Sequence, residues 1–188
     1  MELLGILTAF GLSASAGLNA YIPLLAVSLL ARFTNLIVLQ TPWDTLTSWW
    51  IIGLLAVLSL IEFFADKIPA VDHVNDIIQT FIRPTAGAIV FAASANVITD
   101  VQPILSLGLG LLIAGGVHAT KAWAVRPAVT VATAGTGNAV VSTIEDMIAT
   151  GLSIVAIVVP VVIGCILVMV TAWIIWRWYR KARREATA

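Results

Sequence analysis

Five apolar stretches separated by short polar ones run along the chain: residues 3–30, about 46–65, 84–98, 104–124 and about 148–175. A helix needs roughly 20 apolar residues, at about 1.5 Å each, to cross a bilayer. The second, fourth and fifth stretches have that length. The third is short and must borrow from its flanks, tilt little or stop short. The first is too long for one span. Its middle reads Gly11-Leu12-Ser13-Ala14-Ser15-Ala16-Gly17-Leu18-Asn19-Ala20, with Pro23 beyond. Small residues there serve close helix packing or a break between two half-helices, and the sequence leaves both open. Between the second and third stretches, Val71, Val74, Ile77, Ile78, Phe81 and Ile82 recur at helical spacing. With Asp72 as N-cap and Pro84 ending the element or opening the next, this predicts a short amphipathic helix lying on or dipping into the membrane.

Composition supports a chain whose solvent is mostly lipid. Of 188 residues, 60% are apolar and 11% charged, and mean hydropathy is +1.03. Soluble domains carry about 45–50% apolar and about 25% charged residues. The fold expected is all-α: a polytopic helical membrane protein of about five spans with short, partly inserted amphipathic helices. Residues 1–176 form one transmembrane domain and 177–188 a basic tail. The single cysteine, Cys165, closes no intrachain disulfide and reads as a small lipid- or helix-facing residue. The N-terminus lacks the positive region of a secretory signal and reads as a first membrane segment that is kept.

The net charge is zero but unevenly spread. Arg177, Arg180, Lys181, Arg183 and Arg184 follow the interfacial belt Trp173, Trp176, Trp178 and Tyr179. This marks the cytoplasmic end of the last span. Counting back through five spans puts 125–147, 66–83 and the N-terminus outside, and 99–103 and 32–47 inside. A re-entrant first stretch moves the N-terminus inside and changes nothing downstream. Trp43, Trp49 and Trp50 are expected as interface anchors.

That topology gathers the remaining charge near the outer face. Glu62 and Asp66 are four apart and share a helix face. Glu62 lies about a turn inside the apolar boundary, where a carboxylate needs a partner or a proton. Lys121 and His118 are the partners expected for it. Lys67 and Arg83 suit interfacial anchors as well as charge pairing. Asp72, His73 and Asp76 carry donors that suit a divalent cation, but three such residues on one turn arise readily by chance, so no metal is assigned. Ser142-Thr143-Ile144-Glu145 fits a capping box ahead of Asp146 and the last span. The polar loop Gly135–Asn138 and a helix start at Ser142 offer backbone N–H groups to an anion.

Segment 16–20 is similar to 115–119, and each precedes an acid pair, Glu62 with Asp66 and Glu145 with Asp146. This is a weak internal repeat, inverted if its unit holds an odd number of spans.

Taken in order, Ala-Gly-Leu-Asn-Ala-Tyr-Ile-Pro (16–23), Glu-x3-Asp-Lys-Ile-Pro-x-Val-Asp (62–72), Arg-Pro-x-Ala-Gly-Ala (83–88), His-Ala-x-Lys-Ala (118–122) and Gly-Asn-x3-Ser-x2-Glu-Asp (137–146) form a specific set. It resembles a family of small bacterial integral membrane proteins catalogued only as a domain of unknown function in the four-thousand-one-hundreds. The likeness runs from about residue 5 to 165. Many relatives have a basic residue at the position of Asn19 and a proline at that of Ala139. The resemblance implies no activity, but it singles out the same residues.

The function expected is transport or permeation of an ion or small polar solute. Asn19, Glu62, Asp66, Lys67, Asp72, His118, Lys121, Arg126, Asn138, Glu145 and Asp146 are the candidate site. The alternative is a non-transporting scaffold or accessory subunit that oligomerises or binds lipid. Small residues (Gly11, Ser15, Gly108, Gly110, Gly115, Gly116) suit helix contact within the chain or in a homo-oligomer. No zinc motif, Ser-His-Asp order or phosphate loop stands out, so no enzyme, cofactor or nucleic-acid partner is expected.

Overall fold

The computed structural model describes residues 2–95 and 102–186, and all their regular structure is helical. Seven α-helices follow in order: α1 (Glu2–Leu18), α2 (Tyr21–Phe33), α3 (Trp49–Ala65), α4 (Pro69–Ala95), α5 (Pro103–Thr120), α6 (Arg126–Thr133) and α7 (Asn138–Ala186). A 3₁₀ turn, Trp43–Thr47, precedes α3, and a π turn, Lys121–Val125, joins α5 to α6. Among the described residues, Val74–Ser94, Pro103–Thr133 and Asn138–Pro160 are long and apolar enough to cross a membrane. Gly5–Leu18, Tyr21–Phe33 and Trp49–Ala65 are shorter apolar helices.

The long first stretch is therefore two helices. Asn19 makes the break: its Oδ1 accepts from the N–H groups of Tyr21 and Ile22, each at 3.1 Å, which caps α2. The small residues before the break serve packing too. A Cβ on Gly11 would lie 2.7 Å from that of Ala156, and Ser15 Oγ lies 2.7 Å from the Ala149 carbonyl, to which it donates.

Side-chain contacts fix the helix directions. Phe10 packs edge-on against Phe91 at 5.3 Å, and Ser13 donates to the Gly87 carbonyl at 2.7 Å, so α1 and α4 run antiparallel. Ser13 also reaches the Gly110 carbonyl, and Gly17 lies against Ala114 and Val117, so α1 and α5 run parallel. Gly11 with Ala156 and Asn19 with Asp146 set α7 antiparallel to α1. At the far end of α2, Arg32 stacks over Trp49 and donates to the Thr47 carbonyl. Hence α1 rises to the level of Asn19, α2 returns and α3 rises again to Glu62. The first stretch is a helical hairpin with both ends on one side. Segments 16–20 and 115–119 lie as parallel neighbours, and no inversion relates them.

Two sequence expectations change. The amphipathic segment and the third apolar stretch are one 27-residue helix, α4, that runs through Pro84. It begins at Pro69, whose ring suits a first helical position, so Asp72 lies inside its first turn and is not the N-cap. Pro84 removes one intrahelical bond, a loss that membrane-type bundles tolerate. The polarity of this helix is inside-out relative to a soluble one. Val71, Val74, Ile77, Ile78 and Phe81 are exposed, whereas Gln79 and Arg83 are buried with Ala86 and Val90.

Second, 125–147 is helical except at a turn, 134–137, where Ala134 and Gly135 take positive φ. α7 starts at Asn138, so Ser142 lies inside the helix and forms no capping box. The 49 residues of α7 extend about 73 Å, more than twice a bilayer's hydrocarbon core. The basic tail continues this helix to Ala186, with Arg177 over Trp173 and Arg180 over Trp176. The side chains of Asp72, His73 and Cys165 lie outside the described residues.

Candidate functional site: a buried charge network

α1, α2 and α3 all end or begin at one level, where α4, the α5–α6 rod and α7 pass by. Backbone groups freed at those ends and side chains from the passing helices meet there.

Asp66, at the C-terminal end of α3, is the hub. Its Oδ1 accepts from Asn75 Nδ2 at 2.6 Å. Its Oδ2 accepts from Ser142 Oγ at 3.3 Å and faces Arg126 at 3.5 Å, Arg83 at 3.6 Å and Lys121 at 3.9 Å. One carboxylate thus ties together α4, the π turn, α6 and α7.

One turn below, Arg83 donates from Nε and Nη2 to a single oxygen of Glu62, Oε1, at 3.2 and 2.9 Å. Both side chains are completely buried. Arg83, rather than Lys121 or His118, is the partner of Glu62. Two-point contact suits a guanidinium better than an ammonium. Glu62 Oε2 and the neighbouring Gln79 Oε1 are buried without a hydrogen-bond partner.

Arg83 Nη1 lies 3.2 Å from His118 Nδ1. A guanidinium only donates, so Nδ1 must accept and Nε2 carries the proton. Nε2 then donates to Thr80 Oγ at 3.1 Å, and Thr80 donates to the Asp76 carbonyl at 2.8 Å. His118 is a neutral imidazole that orients Arg83.

The π turn explains the upper part. In an α-helix, five residues rotate by about 500°, leaving Arg126 about 140° from Lys121. Here the Arg126 N–H bonds to the Lys121 carbonyl, so the fifth residue stacks over the first. Both cations then reach Glu145 Oε2, at 2.8 and 3.3 Å. Lys121 also donates to the Leu18 carbonyl at the C-terminal end of α1. At the edge, Asp146 bonds Asn19 at 3.0 Å and Lys67 at 3.4 Å.

Two open cavities touch the network. One, of about 610 Å³, is lined by Asp76, Arg126, Thr130, Thr136 and Asn138. The other, of about 620 Å³, is an apolar groove walled by Leu18, Ile113, Val117, Ile144 and Ile148, with Lys121 and Glu145 in its lining. Beneath the network, Leu12, Ala16, Leu24, Val90 and Ala114 pack into an apolar core.

With this geometry in view, comparison with known proteins gives one match. A family model, a domain of unknown function designated DUF4126, covers residues 6–180. The chain belongs to that family. No curated protein matches this DUF4126 chain. Nor does any solved structure match it.

Of the site residues expected from sequence in this DUF4126 protein, Asn19, Glu62, Asp66, Lys67, His118, Lys121, Arg126, Glu145 and Asp146 come together. Asn138 stands apart, bonded to Thr130 at the cavity rim. The side chain of Asp72 lies outside the described residues. Among those residues no three His, Cys, Asp or Glu side chains are placed to hold a metal ion.

Arg83, Ser142, Asn75 and Gln79 were missed as network members. For Arg83 the available signal is a charge between two apolar runs: it suits an anchor or a charge pair, and the structure sets it mid-helix, paired with Glu62. Ser142 carries a signal too, four residues before Asp146, but its spacing to Glu145 also fits a cap, and the structure sets it inside α7.

Proposed function

We propose that the protein moves an ion or small polar solute across a membrane and holds it at the charge network. One observation carries this: an open cavity, with Asp76, Arg126 and Asn138 in an otherwise largely apolar wall, reaches the network, while an apolar core closes it beneath. A charged site reached from one side and sealed from the other is what a one-side-open state of a carrier requires. Ionisable groups at membrane depth are expensive and are retained chiefly where they act. The basic residues on the far part of α7 orient that end to the cytoplasm by the positive-inside rule. The network then lies toward the outer face, and the N-terminus joins the C-terminal tail inside.

The test is flux. Purified protein in liposomes is assayed with protons, Na⁺, K⁺ and a panel of small zwitterions. Wild type is expected to move at least one of them, and Asp66→Asn to abolish the movement while remaining folded. No movement across the panel, under either sign of membrane potential, rejects transport.

A second reading is a lipid-binding or oligomerising scaffold. The apolar groove between α5 and α7 favours it, because its walls suit an acyl chain or another helix. Gly116 in that groove, like Gly108, has open space over its backbone. A scaffold shows lipid retention or a stable oligomer in mild detergent with no flux.

A further inference from the structure

Three oxygens of the network are buried without a hydrogen-bond donor: Asp76 Oδ1, beside the open cavity, and two deeper ones, on Glu62 and Gln79. Glu62 is 1% exposed and Gln79 is 2% exposed. Each nevertheless holds an oxygen with no hydrogen-bond donor, Glu62 Oε2 and Gln79 Oε1. Gln79 sits one turn before Arg83 on the buried face of α4, and Arg83 grips the other oxygen of Glu62. Tyr21, at the start of α2, has its side chain near both Glu62 and Gln79. Polar side chains from α2, α3 and α4 thus meet near the start of α2.

Unpaired buried acceptors are costly, and two in one place point to a missing positive group. The charges agree. Among the described side chains the network holds five acids (Glu62, Asp66, Asp76, Glu145, Asp146) and four bases (Lys67, Arg83, Lys121, Arg126). His118 adds none, because its Nδ1 accepts from Arg83. The charged and titratable groups facing Glu62 are Arg83 from α4, Lys121 from the π turn, Asp66 from its own helix and Tyr21 from α2.

We infer that Glu62 Oε2, Gln79 Oε1 and the Tyr21 hydroxyl form a binding site for one monovalent cation, a proton or Na⁺. Glu62 supplies the charge, and Gln79 and Tyr21 supply neutral oxygens. Arg83 fixes the carboxylate so that only one oxygen is free. This rests on the transport reading for its purpose but not for its evidence, since binding is measured without flux.

The full chain in detergent or nanodiscs is used, and Gln79→Leu is the main variant because it leaves the Glu62–Arg83 pair intact. Two arms separate the sources. If the ion is Na⁺, NaCl raises the unfolding midpoint over choline chloride at equal ionic strength. A shift of about 4 °C is expected at about ten times the dissociation constant, and Gln79→Leu cuts it by at least half. If the ion is a proton, infrared spectra at neutral pH show a protonated carboxyl band. That band is missing in Glu62→Gln and shifted in Gln79→Leu.

Wild-type protein that is folded yet shows neither the Na⁺ shift nor the carboxyl band overturns the site. A rotated Gln79 amide or a lone water then satisfies the oxygens. Cation binding without flux rejects transport and leaves the site standing; flux without either signature does the reverse.

Discussion

Lys121 and Arg126 grip the same carboxylate oxygen, Glu145 Oε2, from 2.8 and 3.3 Å, although five residues separate them. The π turn makes this possible, and it amounts to one extra residue in a helix. Removing that residue restores an α-helical spacing of four, which also keeps both cations on one face. Deleting Ala122 is therefore expected to cost less than about 2 kcal/mol, because neighbouring Trp123 and Val125 are exposed and no buried packing is lost. A second insertion after Ala122 turns Arg126 away and costs more, about 3 kcal/mol, by leaving buried carboxylates unpaired. Thermal unfolding in detergent ranks the two. A deletion as damaging as the insertion sinks the extra-residue account.

The Glu62–Arg83 pair invites a double-mutant cycle. Breaking a buried ion pair by removing one partner costs about 3–5 kcal/mol, since the other charge is stranded. Arg83→Met strands Glu62 and also removes a contact to Asp66 and the donor to His118. Glu62→Gln keeps an acceptor oxygen for Arg83 and is expected to cost less, about 1–3 kcal/mol. The double variant Glu62→Met with Arg83→Met should be more stable than the sum of the single losses by at least about 1.5 kcal/mol. Additivity within experimental error contradicts the direct pairing.

Much of the network was legible because charge is rare in this chain. Glu62, Asp66, His118, Lys121, Glu145 and Asp146 stand out against apolar neighbours, and helix spacing alone puts most of them on shared faces. Their partners were harder to read. Apolar periodicity at 71–82 marks an amphipathic helix but gives no sign of which face meets lipid. A helix packed in water would bury the apolar face; here Gln79 and Arg83 are buried instead, as fits an apolar surrounding. Helix boundaries failed for a related reason. Pro84 and Pro127 signal helix ends in soluble chains, yet both lie in continuous helical rods here. Asn19 shows the opposite case: one amide side chain in a 28-residue, mostly apolar run turns the chain, which only its two backbone contacts reveal.

Asn19 joins the hairpin turn to the network. Its oxygen caps α2 and its Nδ2 donates to Asp146. Asn19→Ala loses both, and about 1–3 kcal/mol of stability is expected to go with them. Asn19→Asp keeps the cap but sets a second carboxylate against Asp146 at about 3 Å. It should be at least as destabilised as Asn19→Ala at neutral pH. It should recover partly in acid, where one of the two carboxylates takes up a proton. Unfolding midpoints of both variants across pH check this. An Asn19→Asp protein as stable as wild type at neutral pH contradicts the contact.

The α4–α5 crossing beneath the network depends on two glycines. A Cβ on Gly87 would collide with that of Ala114 and lie 3.0 Å from the Gly110 carbonyl, and one on Gly110 would meet the Gly87 carbonyl and the Phe91 Cβ. Ser13 exploits that close approach, donating to the Gly87 carbonyl and reaching that of Gly110. Gly87→Ala has to push the helices apart, at a cost of about 1–3 kcal/mol despite alanine's better helix propensity. Because Gly87 is one turn below Arg83, the displacement also loosens the grip on Glu62. Ala114→Gly removes the Cβ that collides and should restore at least half of the loss in the double variant. Gly108→Ala, with open space over its backbone, serves as the control and is expected to be neutral or slightly stabilising. If Gly87→Ala and Gly108→Ala prove equally harmless in detergent unfolding, close packing at this crossing is not what holds the network in register.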